Sequence, residues 1–196
     1  MIPNTVAVCM FAVVLLAAST LRAGEAEQAM VLPMGGLAHA TEEMERATGG
    51  RVLEVRLVDE KGDPAFEAAV ASEDAVVYIR LAAVTDVVTE IDVAELPAWL
   101  MNYKMQAYMR SIELAQVPLV EAILRAENKA QAPAIGAGIA KPLSGSNAVL
   151  AYYVETIKGR SRKLMAVDAK TGAMIANPEA LYERWTPVEL LRRLAP

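Results

Sequence analysis

The chain has 196 residues, a formal net charge of −5 at pH 7 and 55% apolar residues. It has one cysteine and one histidine. These counts exclude a disulfide framework, a thiolate zinc site and a multi-histidine metal centre. The acidic balance also argues against nucleic acid as a partner.

Ile2 to Leu21 carries no charged side chain, and Val6 to Ala18 is an apolar run that contains Cys9. Arg22 follows, and then the small-residue stretch Ala23-Gly24-Glu25-Ala26. A short apolar core followed by small residues is the pattern of a secretory signal peptide. Residues 1–26 are therefore expected to direct export to the periplasm or outside the cell, with cleavage after Ala23 or Ala26. An uncleaved N-terminal anchor is the alternative, although so short a run spans a hydrocarbon core poorly.

The first element of the next segment, 27–92, is "GLAHATEEMERATGG", from Gly36 to Gly50. Leu37, Ala40, Met44 and Ala47 follow helical spacing, and Gly49-Gly50 ends the helix. In "RVLEVRLVDE", Leu53, Val55 and Leu57 alternate with Glu54 and Arg56, which predicts a half-buried strand. Lys61-Gly62-Asp63-Pro64 supplies a turn. Phe66, Ala68 and Val70 alternate on a second strand, and "AVVYIRL" and "TDVVTEI" read as a third and a fourth.

Segment 93–116 reads as a helical connector. Trp99 leads into Met101, Met105 and Met109, which share one helix face. Three thioethers on one face suit Cu(I), and the same spacing suits packing against a partner or a core. Segment 117–196 then repeats the order of elements. Pro118 suits a first helical turn, and Val120, Ile123, Leu124 and Glu127 set an apolar stripe beside a polar one. "APAIGAGIAKPL", "AVLAYYVETI", "RKLMAVD" and "AMIA" read as strands, and "NPEALYERWTPVELLRRL" as one or two short closing helices. From this order the expected fold is α+β: two repeated helix-plus-antiparallel-sheet units joined by the helical connector. The charge is uneven along the chain. Residues 27–99 hold 15 acidic and 5 basic side chains, and residues 100–196 hold 8 acidic and 13 basic. The halves either attract each other or face different partners.

Little catalytic chemistry can be assembled from this chain. Lys170-Thr171-Gly172 spells a short signature of penicillin-recognising enzymes, but these also need a serine three residues before a lysine, and none occurs here. The expected role of Asp168, Thr171 and Gly172 is a turn: Asp168 accepts backbone N–H groups, and Gly172 takes the positive φ that closes a hairpin. His39 has no motif around it. Glu42-Glu43-Glu45 and Asp59-Glu60-Asp63 read as solvated carboxylates. "KGRSRK" concentrates Lys158, Arg160, Arg162 and Lys163 at one hairpin tip. The tip suits an acidic protein surface or anionic lipid headgroups. Together with Trp99, Met101, Met105 and Met109, it is the candidate partner surface.

Glu121-Ala122 and Ala126 on the second helix, Tyr153-Val154-Glu155 on the central strand, and Val167-Asp168-Ala169-Lys170-Thr171-Gly172 at the closing hairpin form a recognisable set. Ala47 to Val55 and Gly62 to Phe66 match in the first unit, which departs from the pattern at "AAVTDVVTEI". These residues resemble the PepSY domain, a small α+β module of exported bacterial proteins and of thermolysin-type metallopeptidase propeptides. The resemblance implies no catalytic residues and no cofactor. It implies a non-enzymatic role in binding or restraining another envelope or secreted protein, such as a peptidase. The alternative is a small-ligand or Cu(I) carrier that uses the methionines.

Overall fold

The structure, a computed structural model, describes residues 35–60, 62–72, 75–94, 110, 112–143, 149–184 and 187–188. The expected signal segment and the stretch holding Trp99, Met101, Met105 and Met109 lie outside the described residues.

Helix α1 (Gly36–Thr48) buries Leu37, Ala40 and Met44 of the predicted stripe, while Ala47, its fourth member, is exposed in the last turn. It stops at Gly49, whose φ of 68° is left-handed and whose N–H bonds back to Glu45. A side chain there would be strained, which is why glycine ends this helix. The Glu45 carboxylate then accepts the N–H of Val52 at 3.0 Å, fixing how the chain enters the first strand. Strands β1 (Arg51–Glu60), β2 (Asp63–Ala71), β3 (Val76–Ala82) and β4 (Val88–Ala94) follow as an antiparallel ladder. Helix α2 (Leu119–Ala130) starts after the extended Pro118 and buries Leu119, Ala122, Ile123 and Ala126. Strands β5 (Ala134–Pro142), β6 (Ala151–Lys158), β7 (Ser161–Asp168), β8 (Met174–Ile175) and β9 (Tyr182–Arg184) complete the set.

The molecule is α+β, but it is not two helix-plus-sheet units joined by a connector. Its strands form one sheet in the order β4-β3-β2-β1-β5-β6-β7-β8. The seam is β1 against β5, where Glu54, Val55 and Arg56 pair with Gly138, Ala137 and Gly136. Two separate sheets would each present a row of unpaired backbone groups, and the seam satisfies them. Gly138 permits the close approach: a Cβ there would lie 2.8 Å from the Leu53 carbonyl oxygen. Both helices lie over one core, where Leu37 and Met44 of α1 and Ile123 of α2 join Leu53, Phe66, Ile79, Ile139 and Val154 in a single cluster.

The chain end departs from expectation only in part: Pro187 and Val188 are helical, where a short closing helix was expected, but Tyr182–Arg184 are not. A 3₁₀ turn (Pro178–Ala180) leads into β9 rather than into a helix. The ladders of β5 with β1 and β6 stop at Gly138 and Ile139, and β9 takes up Ala140–Pro142. Pairing of those open backbone groups outweighs the weak local helix preference. Tyr182 packs there with Ala140, Ala151, Tyr153 and Ala166 in a second, smaller cluster. Its hydroxyl donates to the Val149 carbonyl at 2.9 Å.

Candidate functional site

The site lies at the β6–β7 hairpin and the sheet edge beside it. Lys158 pairs with Ser161, so Gly159 and Arg160 alone make the turn. Gly159 has a φ of 59°, and a glycine first in a two-residue loop matches the twist of the flanking strands. Lys158, Arg160, Arg162 and Lys163 are all exposed at this tip. Arg162 leans along β6 and comes within 3.6 Å of the Glu155 carboxylate. The tip thus gathers the basic side chains that the sequence places there.

Beside it the edge of β7 opens into a cleft of about 660 Å³. Lys163, Leu164 and Met165 of β7 form one wall. Met174, Ile175 and the turn through Glu179 form another, and Lys129 at the end of α2 closes a corner. The cleft exists because β8 is only two residues long and pairs only with Ala166 and Val167. Past Ile175 the chain turns away at Asn177, which sits in the left-handed region at φ 50°.

The stretch from Asp168 to Gly172 is the turn at the far end of β7. Asp168 Oδ1 accepts the N–H groups of Lys170 and Thr171, each at 2.8 Å. The Thr171 bond, followed by that of Lys170, holds the Asp168 carboxyl below the usual carboxylate range. Gly172 has a φ of 73°, its N–H bonds to Asp168 O, and its own carbonyl accepts from Arg125 at 2.9 Å. Lys170 is exposed. The residues that spell a catalytic signature therefore form a hairpin turn.

His39 lies 3.7 Å from Asp86, and both are about 40% exposed. Glu43 pairs with Arg46 on the surface of α1. Among the described residues no cluster of His, Cys, Asp and Glu is placed to hold a metal ion.

Two buried carboxylates were not foreseen. The alternation along β1 predicts Glu54 on a solvated face, yet it is 1% exposed, and Glu67 on β2 is fully buried. Glu54 accepts the Tyr153 hydroxyl at 3.2 Å and the Val188 N–H at 3.0 Å. Tyr153 reaches it across Gly138, which pairs with both residues and has no side chain in the way. Glu67 lies between Arg56 at 3.3 Å and Arg80 at 3.5 Å. Burial, and then the Glu67 charge and hydrogen bond, push the Tyr78 phenol above its ordinary range. The only signal in the sequence was same-face placement, with Arg56 and Arg80 at positions able to flank Glu67. Both carboxylates are thus buried and flanked by protein donors, as buried charges in folded chains generally are.

No helix among the described residues is long and apolar enough to cross a membrane. No family model and no curated protein matches the chain. Among solved structures it is similar to a protein described as a candidate lipoprotein from Clostridium difficile 630. The identity is 13% and the TM-score 0.44, over 70% of this chain and 88% of that one.

Proposed function

We propose that this chain is an exported, non-enzymatic protein that binds and restrains a protein partner of the cell envelope, with the β6–β7 hairpin as its contact. The observation that carries the reading is the exposure of Lys158, Arg160, Arg162 and Lys163 on one hairpin, next to an open cleft. Exposed cations beside a partly apolar groove suit recognition of an acidic protein surface. Export rests on the apolar run and the small residues of segment 1–26. The PepSY resemblance over Val167 to Gly172 supports an envelope peptidase as the partner class.

The test is capture from envelope extract by the mature chain, compared with the doubly reversed variant Arg160→Glu/Arg162→Glu. Reversal of two rim charges should reduce capture by about tenfold or more, and more steeply at low salt. Equal capture by both forms, at matched thermal stability, would place the contact elsewhere and sink the hairpin reading.

A further inference from the structure

The open edge of β7 has the geometry of a missing strand. The Asp168 N–H bonds outward to Ala173 O across the β7–β8 hairpin, so Asp168 directs its backbone groups away from β6. Backbone direction alternates along an antiparallel strand, so Ala166, Leu164 and Arg162 direct theirs to the same edge. Ala166 meets Ile175 of β8. Leu164 and Arg162 lie beyond the end of β8 and have no strand partner on that edge among the described residues. The cleft of about 660 Å³ lies between Lys163, Leu164 and Met165 on this edge and the chain that leaves β8, Ala176 to Ala180.

We propose that this slot accepts an extended, acidic segment of the partner protein as an added strand. The inference rests on the partner-binding reading and names the form in which the partner is recognised. Two outward N–H groups and two outward carbonyls ask for another extended backbone. Side chains around the slot set the charge: Lys129 and Lys163 line it, Arg162 and Arg160 stand at its tip end, and Glu179 is the one acidic side chain among the lining residues. A second copy of this chain fits less well. Antiparallel pairing of two β7 edges about their centre sets Lys163 against its own copy, and like charges directly opposite destabilise a sheet pair.

The probe is a hexapeptide that alternates valine and glutamate, titrated into the full mature chain and followed by amide exchange. Binding should slow exchange at Arg162 and Leu164 by about tenfold or more, as new backbone hydrogen bonds require. A version of the peptide methylated at alternate backbone nitrogens, and one with lysine for glutamate, should both bind at least about fivefold more weakly, one hydrogen bond or one charge contact each. Leu164→Pro removes an outward N–H at an edge position where proline is tolerated, and it should lose the same affinity. If that variant does not fold, Lys163→Glu serves in its place and should invert the preference between the glutamate and lysine peptides.

Unchanged exchange at Arg162 and Leu164 in saturating glutamate peptide would overturn the proposal, as would equal binding of the methylated peptide. A chain that dimerises on its own with protection at the same amides would make a second copy the occupant and would also overturn it. Envelope capture that survives Leu164→Pro but is lost in Arg160→Glu/Arg162→Glu would reject strand addition and leave the partner-binding reading standing. Failure of envelope capture altogether would reject that reading, and the amide-exchange result would still decide the slot.

Discussion

Asp168 and Gly172 do their work locally, and their roles could be read from the sequence. An aspartate two and three residues ahead of free N–H groups, and a glycine where φ must be positive, specify the turn without help from distant chain. Replacing Lys170 with Ala should leave the melting temperature almost unchanged. Replacing Gly172 with Val should cost about 1–2 kcal/mol for the left-handed backbone, and more if Arg125 cannot move aside. Its Cβ would sit 2.6 Å from Arg125 Nη1. Because the Asp168 pKa is lowered from its ordinary 3.8, the ionised form is favoured in the folded state. The turn's stabilisation is therefore complete above that ordinary value and is lost as pH falls through the lowered one. The gap in melting temperature between wild type and Asp168→Asn should accordingly narrow between neutral pH and about pH 3. A gap that widens on acidification would contradict the bonding seen at the turn. Glu54 was not legible in this way. Its partners are 99 and 134 residues away, so no local pattern marks it as buried. Tyr153→Phe should cost about 1–3 kcal/mol because a buried carboxylate loses a donor. Chemical denaturation would measure this, and a loss near zero would show that Glu54 is adequately solvated without it.

Most helices and strands could be placed from hydrophobic period and turn residues. Those residues fix which face of an element is apolar. They do not fix which elements are neighbours, and the expected pair of units failed on that point. The β1–β5 seam joins segments about eighty residues apart, and its marker, a glycine broken into β5, reads equally well as a bend or a close approach. The closing strand β9 was mistaken for helix because its partner is a distant stretch of backbone, Ala140–Pro142. The seam makes a sharp prediction. Gly138→Val should destabilise by about 1–3 kcal/mol through overpacking against the Leu53 carbonyl. The exposed glycine at Gly62, where a Cβ would meet nothing within 4 Å, serves as the comparison. Its cost comes only from its positive φ. Denaturation midpoints for the two variants, with hydrogen exchange on β1 and β5, would distinguish loss of the seam from simple turn strain.

One sheet, with a main core that both helices and both halves of the chain share, implies one folding transition. Phe66 sits among strands before the seam and Ile123 on the helix after the connector, yet both belong to the same cluster. Phe66→Ala and Ile123→Ala should each lower a single cooperative transition, by about 3–5 and 2–5 kcal/mol respectively. Two separable melts, one moved by each substitution, would restore independent units. The sheet order also resolves the uneven charge along the chain. The acidic side chains Glu90 and Asp92 lie on β4, and the basic hairpin includes β7, six strand positions away. At about 4.8 Å per strand that is roughly 29 Å, several screening lengths at physiological salt. The acidic strand is too distant to neutralise the basic tip, where Arg162 already lies 3.6 Å from Glu155, and on the proposed reading this tip attracts an acidic partner. The most direct test of that claim is in-cell photocrosslinking from a benzoylphenylalanine placed at Arg160, with a second probe at Glu90 on the opposite edge, read by mass spectrometry. An envelope-protein adduct is expected from the Arg160 position and little from Glu90; an adduct from Glu90 alone, or equal adducts from both, would rule out the hairpin as the contact.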